Sequence, residues 1–154
     1  MRLIATAALV GLMLHEAPSA LAKQPTVVDV PNGPAFVQLP GRKEVNARSG
    51  QDLFDNTVLR TSKPGRMQIK LSSGRQFRMG GNALLQLKNS TVTLKRGALI
   101  GWIQPGLKNR QPFTIQTRLA TASIQGTTVF IELDDDKLKV FSWEGEVNVA
   151  TTSG

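Results

Sequence analysis

The chain has one histidine, His15, and no cysteine or tyrosine. Zinc sites take His or Cys ligands in nearly every case. Thiol nucleophiles and His-assisted serine triads need one or the other. Beyond His15, a carboxylate pair or a Ser–Lys pair is all that remains for catalysis. Carboxylates are few, and Asp134, Asp135 and Asp136 are adjacent. That run reads as a solvated hairpin tip, because the alternating ligand spacing of an EF-hand is absent. This inventory predicts a chain that is not an enzyme and holds no metal or cofactor.

The basic residues are more informative. The net charge is +8, yet Asn56 to Ile131 contains no Asp or Glu. Within that span Lys70, Arg78, Lys88 and Lys95 are candidate contacts for a polyanion such as an acidic glycan or a lipid phosphate. The same residues alternate with apolar ones, so they also fit the wet face of a sheet. Nucleic acid is disfavoured. Single strands bind by stacking bases on aromatic rings, and among its basic residues, from Arg60 to Arg118, the span offers only Phe77, Trp102 and Phe113. Trp102 and Trp143 read as core or rim packing.

These side chains need strands to position them. Apolar residues alternate with polar ones in short runs: Met67, Ile69 and Leu71; Phe77 and Met79; Leu85 and Leu87; Val92 and Leu94; Leu138 and Val140; Val147 and Val149. This is the period of a half-buried strand. Turn residues punctuate the runs, at Ser72-Ser73-Gly74, Gly80-Gly81-Asn82, Lys88-Asn89-Ser90, Arg96-Gly97, Pro105-Gly106 and Glu144-Gly145. No window after the N-terminal stretch has a helical period. The expected fold is all-β, with short strands in a twisted solenoid-like stack or a sandwich.

The stretch "TASIQGTTVFIEL" shows a change of parity. Ala120, Ala122 and Ile124 share one face, and Val129, Ile131 and Leu133 share one face. Even has become odd. A period-two element that changes parity inserts a residue or turns a corner. Gly126 is the expected place, at a positive backbone angle.

The two ends are different in character. Met1-Arg2, the apolar run Leu3 to Leu14 and Ala20-Leu21-Ala22 have the form of a signal peptide with an A-x-A cleavage site. The apolar run falls short of the ~20 residues of a spanning helix. Residues 1–22 are therefore expected to be a signal-peptide helix, and the protein to be exported, periplasmic or extracellular, with no transmembrane helix in its mature chain. Residues 23–44 carry Pro25, Pro31, Pro34 and Pro40. They read as an extended strap, with an edge strand at Ala35–Leu39. The β domain is expected over 45–150, and 151–154 as a tail.

The run "LFDNTVLRTSKPGRMQIKLSSGRQFRMGGNALLQL" resembles the front half of a FecR-type domain, with its Thr at Thr61, its hairpin strand at Gly65 to Leu71 and its hairpin glycine at Gly74. "VTLKRGALIGWI" is similar to the family's next element, at Gly97. "FTIQTRLATASIQGTTVFIEL" is similar to its best-marked stretch, with Gly126 and Thr127 as the Gly-Thr pair. "VFSWEGEVNV" resembles its ending, at Gly145 and Val147. Gln125 stands where the family usually has Arg, and Asn82 where an acidic or polar turn is common. The resemblance spans Val45 to Val149. It implies a twisted stack of short strands, and a module of the bacterial cell envelope. Family regulators add a cytoplasmic anti-sigma segment and a spanning helix, and neither is expected here. The expected role is a stand-alone binding or scaffolding module linked to cell-surface signalling, with an envelope protein or an acidic glycan as partner. The alternative is a basic polyanion- or lipopolysaccharide-binding envelope protein.

Overall fold

The computed structural model describes residues 23–88, 91–102 and 112–152. The expected signal peptide, the turn at Pro105-Gly106, and Asn89 and Ser90 lie outside the described residues. Those described are all-β, with no helix among them. The strands are β1 (Thr26–Asn32), β2 (Ala35–Gln38), β3 (Val45–Asn46), β4 (Val58–Thr61), β5 (Arg66–Lys70), β6 (Gln76–Met79) and β7 (Leu84–Lys88). They continue with β8 (Thr91–Trp102), β9 (Phe113–Gln116), β10 (Ala120–Gln125), β11 (Val129–Leu133), β12 (Leu138–Ser142) and β13 (Glu146–Thr151).

All of these strands belong to one curled sheet. One half runs β1-β5-β6-β8-β11-β12. The other runs β3-β2-β4-β7-β8-β9-β10-β13. Every pair is antiparallel except β8 with β9. The two halves close over one core, where Phe77 of the first stacks on Phe113 of the second at 6.1 Å between ring centres. The alternation decides what enters it. Met67, Ile69, Phe77, Met79, Leu85, Val92 and Leu94 are all fully buried.

β8 belongs to both halves, and Arg96-Gly97 is where it crosses. The sequence reads as a turn there; the chain instead stays in strand and bends. The register slips beside it, with Leu84 opposite Arg96 but Leu85 opposite Leu94, so Lys95 is the extra residue of a bulge. Gly97 follows at φ +84°. A turn and a corner ask for the same residue, a glycine in the left-handed region, so local sequence does not separate them. Gly126, at φ +68°, marks the second crossing, from β10 in one half to β11 in the other. The parity change is therefore a corner.

The proline-rich segment is extended, and it is woven into the sheet. β1 pairs with β5, and β2 lies between β3 and β4. Val27 and Val37 are fully buried. The prolines fall where a ladder tolerates them: Pro34 lies between strands, and Pro31 lies in β1, whose pairing is already interrupted by register shifts.

Two threonines hold the crossings. The buried Thr61 hydroxyl donates to the Gly80 carbonyl and accepts from the Ala83 amide at 3.1 Å. The buried Thr127 hydroxyl lies 2.9 Å from the Ser142 hydroxyl and accepts from the Glu144 amide at 3.2 Å. A buried hydroxyl needs such partners, and here they tie each link to the strand beyond it.

Candidate functional site

The outward side of the first half carries a continuous row across its strands. Gln68 of β5 is opposite Arg78 of β6, and Arg78 is opposite Ile100 of β8. Ile100 is opposite Phe130 of β11, and Phe130 is opposite Phe141 of β12. Facing residues on neighbouring strands touch, so the row is a physical stripe. It is polar and cationic at one end and apolar at the other. Ile100 and Phe141 are 37% and 56% exposed. Trp143 extends the apolar end, packing edge-on against Phe141 at 4.8 Å while remaining 57% exposed. Of core and rim packing, the two forms expected, it shows the rim form, standing at the surface against one aromatic neighbour.

A groove of about 500 Å³ runs beside this row. Its floor is shallow in side chains, because Gly80, Gly81 and Ala98 line it. Lys63, Arg66 and Arg78 line it together with Ile100, Phe130 and Glu132. Arg78 donates to the Gln68 side chain at 2.6 Å, and Gln68 donates to that of Gln76 at 2.8 Å. Among the described residues no carboxylate pairs with Arg78; the only ion pairs there are Arg60–Glu44 and Lys139–Glu132. A lining that is apolar and cationic, with Glu132 its single carboxylate, suits a ligand that offers apolar and acidic groups together.

The acid-free span divides into basic residues used by the fold and basic residues left at the surface. Arg60 pairs with Glu44 at 2.5 Å and lies 4.0 Å over the Phe36 ring. That hydrogen bond holds the Glu44 carboxyl below its ordinary range and raises the Arg60 guanidinium. Arg75 is buried and donates to the Pro112 carbonyl at 3.2 Å. Burial pushes its guanidinium down, since desolvation disfavours the charged form. Arg118 donates to the carbonyls of Lys95, Asp134 and Asp135. It thereby ties down the exposed Asp134–Asp136 tip.

Lys70, Arg78, Lys88 and Lys95 are all exposed. Lys70 and Arg78 come together, on the same outward face of paired strands, since Lys70 is opposite Gln76 and Arg78 opposite Gln68. Lys88 and Lys95 lie on the other half, on β7 and at the β8 bulge. Arg78 lines the groove of the first half, Lys70 a separate one beside Ser72 and Ser73, and Lys95 a third with Arg118. Gly126 and Thr127 form the corner and its clamp. The sequence reading missed Ile100, Phe130 and Phe141. Val-, Ile- and Phe-rich strands look alike whether a ring points in or out. The available signal was parity, because Phe130 and Phe141 are out of phase with Ile131 and Val140.

No group of His, Cys, Asp and Glu among the described residues has the arrangement to hold a metal ion. No helix among them is long and apolar enough to cross a membrane. A family model described as FecR protein matches residues 57–148, more than half of the chain. No curated protein and no solved structure matches.

Proposed function

Because this chain belongs to the FecR family, a family of periplasmic, signalling-related modules, we propose that it is a non-enzymatic, exported binding or scaffolding module of the bacterial cell envelope, linked to cell-surface signalling. The observation that carries this reading is the outward row Arg78–Ile100–Phe130–Phe141, one residue from each of four adjacent strands. Exposed apolar patches rimmed by polar residues mark interaction sites, and aromatic and arginine side chains dominate such contacts. The partner is an envelope protein that presents apolar and acidic groups. The thin acid–base inventory supports the non-enzymatic reading.

Photo-cross-linking side chains placed at Ile100 and Phe141 are expected to capture the partner in cells, and one placed at Lys88 is not. Adding Arg78→Glu or Phe130→Ser should weaken capture at least tenfold, the scale of a central contact. Equal capture from Lys88 would remove this face from consideration. Lys70 and Arg78 together favour a second reading, an acidic glycan or lipopolysaccharide. Heparin titration separates the two: polyanion binding falls steeply with salt, as each neutralised charge releases about one counterion.

Export rests on Arg2, the Leu3 to Leu14 run and Ala20-Leu21-Ala22. Mass spectrometry of the protein from its own cells is expected to find Lys23 at the N-terminus, in the periplasmic or external fraction. An intact Met1 in a cytoplasmic pool would end the export reading.

A further inference from the structure

A curled sheet that does not close has free edges, and exposed edges invite further strands. Here the edges are β1, β3, β12 and β13. Three of them are blunted. β1 is covered at Val27, whose amide donates to the Gln51 carbonyl and whose carbonyl accepts from Gly50. It also carries Pro31 and two register shifts. β3 has two residues. β12 carries Lys139 and follows Lys137, charges of the kind that guard edges. β13 has six residues, no proline, no lysine or arginine, and no register shift against β10.

The backbone groups that β13 offers can be identified. The Thr152 amide donates to Leu119 at 3.0 Å. Antiparallel bonding alternates along a strand, so Ala150, Asn148 and Glu146 also bond toward β10. The far side of β10 agrees. The Thr117 amide donates to Ala120 at 2.9 Å, which turns Ala120, Ala122 and Ile124 toward β9 and leaves Thr121, Ser123 and Gln125 for β13. Val147, Val149 and Thr151 therefore direct their N–H and C=O groups outward. Among the described residues β13 has β10 as its single neighbour. Val149, at the middle of the outward set, is 46% exposed.

We propose that the β13 edge is an interaction surface for a second copy of this chain, paired antiparallel about a two-fold axis through Val149. The sequence of β13 is self-complementary in that register. Val149 lies opposite Val149 of the second copy, and Val147 opposite Thr151. Both are β-branched pairs of the kind that stabilise a ladder, and every outward backbone group finds a partner. The one charge, Glu146, falls opposite Thr152, so no like charges meet. The acid-free span ends before this strand, which keeps the basic block out of the contact. A single ladder of this length buries less than the roughly 1,200 Å² of a standard interface, so the dimer is weak and reversible.

The test uses the absence of cysteine from the chain. In this register position 149 meets itself with Cα atoms about 5.5 Å apart, within disulfide range, whereas position 148 meets 150. On mild oxidation Val149→Cys is expected to form a disulfide dimer at least tenfold faster than Asn148→Cys. Sedimentation of the wild-type protein, purified as its cells produce it, should show the mass rising toward twice the monomer in a concentration series reaching millimolar. Val149→Pro removes an outward N–H and no bond to β10. Val149→Lys opposes two like charges. Both are expected to stay monomeric with a melting temperature close to wild type. A wild-type monomer at millimolar concentration, equal cross-linking at 148 and 149, or a dimer that both variants preserve would each overturn the proposal.

Discussion

Gly97→Ala is expected to abolish cooperative folding, or to lower the melting temperature by more than any other single change at a glycine corner. Two costs add. The residue sits at φ +84°, where a β-carbon strains the backbone by about 1–2 kcal/mol. A β-carbon there would also stand 2.5 Å from the Ala83 Cα, 2.7 Å from the Asn82 carbonyl oxygen and 2.9 Å from the Ala83 nitrogen. These are backbone atoms and cannot rotate aside. They belong to the link from β6 to β7, which Thr61 pins at Gly80 and Ala83. Relief means pulling that link away from β8, at a cost in the exceptional class above ~4 kcal/mol. A domain has only about 5–15 kcal/mol to lose.

Gly126 supplies the contrast. Its φ is +68°, but a β-carbon there meets nothing within 4 Å. Gly126→Ala should cost only the strain, about 1–3 kcal/mol, or roughly 4 °C of melting temperature per kcal/mol. Gly126→Val should fall further, because a β-branched side chain tolerates positive φ least. Thermal melts of the three variants check this ranking. If Gly97→Ala melts with Gly126→Ala, the close approach of β8 to Ala83 is not rigid and the account of the crossing fails.

Phe113→Ala is expected to cost about 3–5 kcal/mol, the range for emptying a buried aromatic site. Phe113 is 1% exposed and is the aromatic contact between the two halves, stacked on Phe77. It fits because residue 101 has no side chain: a β-carbon at Gly101 would lie 2.9 Å from Phe113 Cε1. The two positions should therefore couple. Gly101→Ala alone overpacks the core, at about 1–3 kcal/mol. In a Phe113→Leu background the same change should cost little, because the ring edge it meets is gone. Denaturant unfolding of the single and double variants gives the coupling energy directly. Additive effects would show that Gly101 and Phe113 do not share one space.

Much of this architecture was readable from local pattern. The alternation at Met67 to Leu71, Phe77 to Met79 and Val92 to Leu94 places the strands and their inward faces, because successive strand side chains point to opposite sides. The parity change at Gly126 locates a break in the strand, a bulge or a corner, without reference to any partner strand. Other features were not readable. Gln76 alternates with apolar residues as a wet-face residue would, yet it is 7% exposed. Val149 alternates as a core residue would, yet β13 lies at an edge with little above it to cover its inner side.

The sequence by itself determined the all-β class, the inward faces of the strands from Met67 to Leu94, the break at Gly126 and the poverty of acid–base groups. These depend on residue type and on spacing along one strand. Only the tertiary structure decided that Arg96-Gly97 is a bend within β8, that the proline-rich segment joins the sheet, and that Arg60, Arg75 and Arg118 serve the fold while Arg78 stands beside an apolar row. It alone showed that, among the described residues, β13 has β10 as its single strand neighbour. Each of these depends on which strands become neighbours. Pairing is set by contacts between residues far apart in the chain, and a period-two pattern fits many partners equally well until the whole sheet is formed.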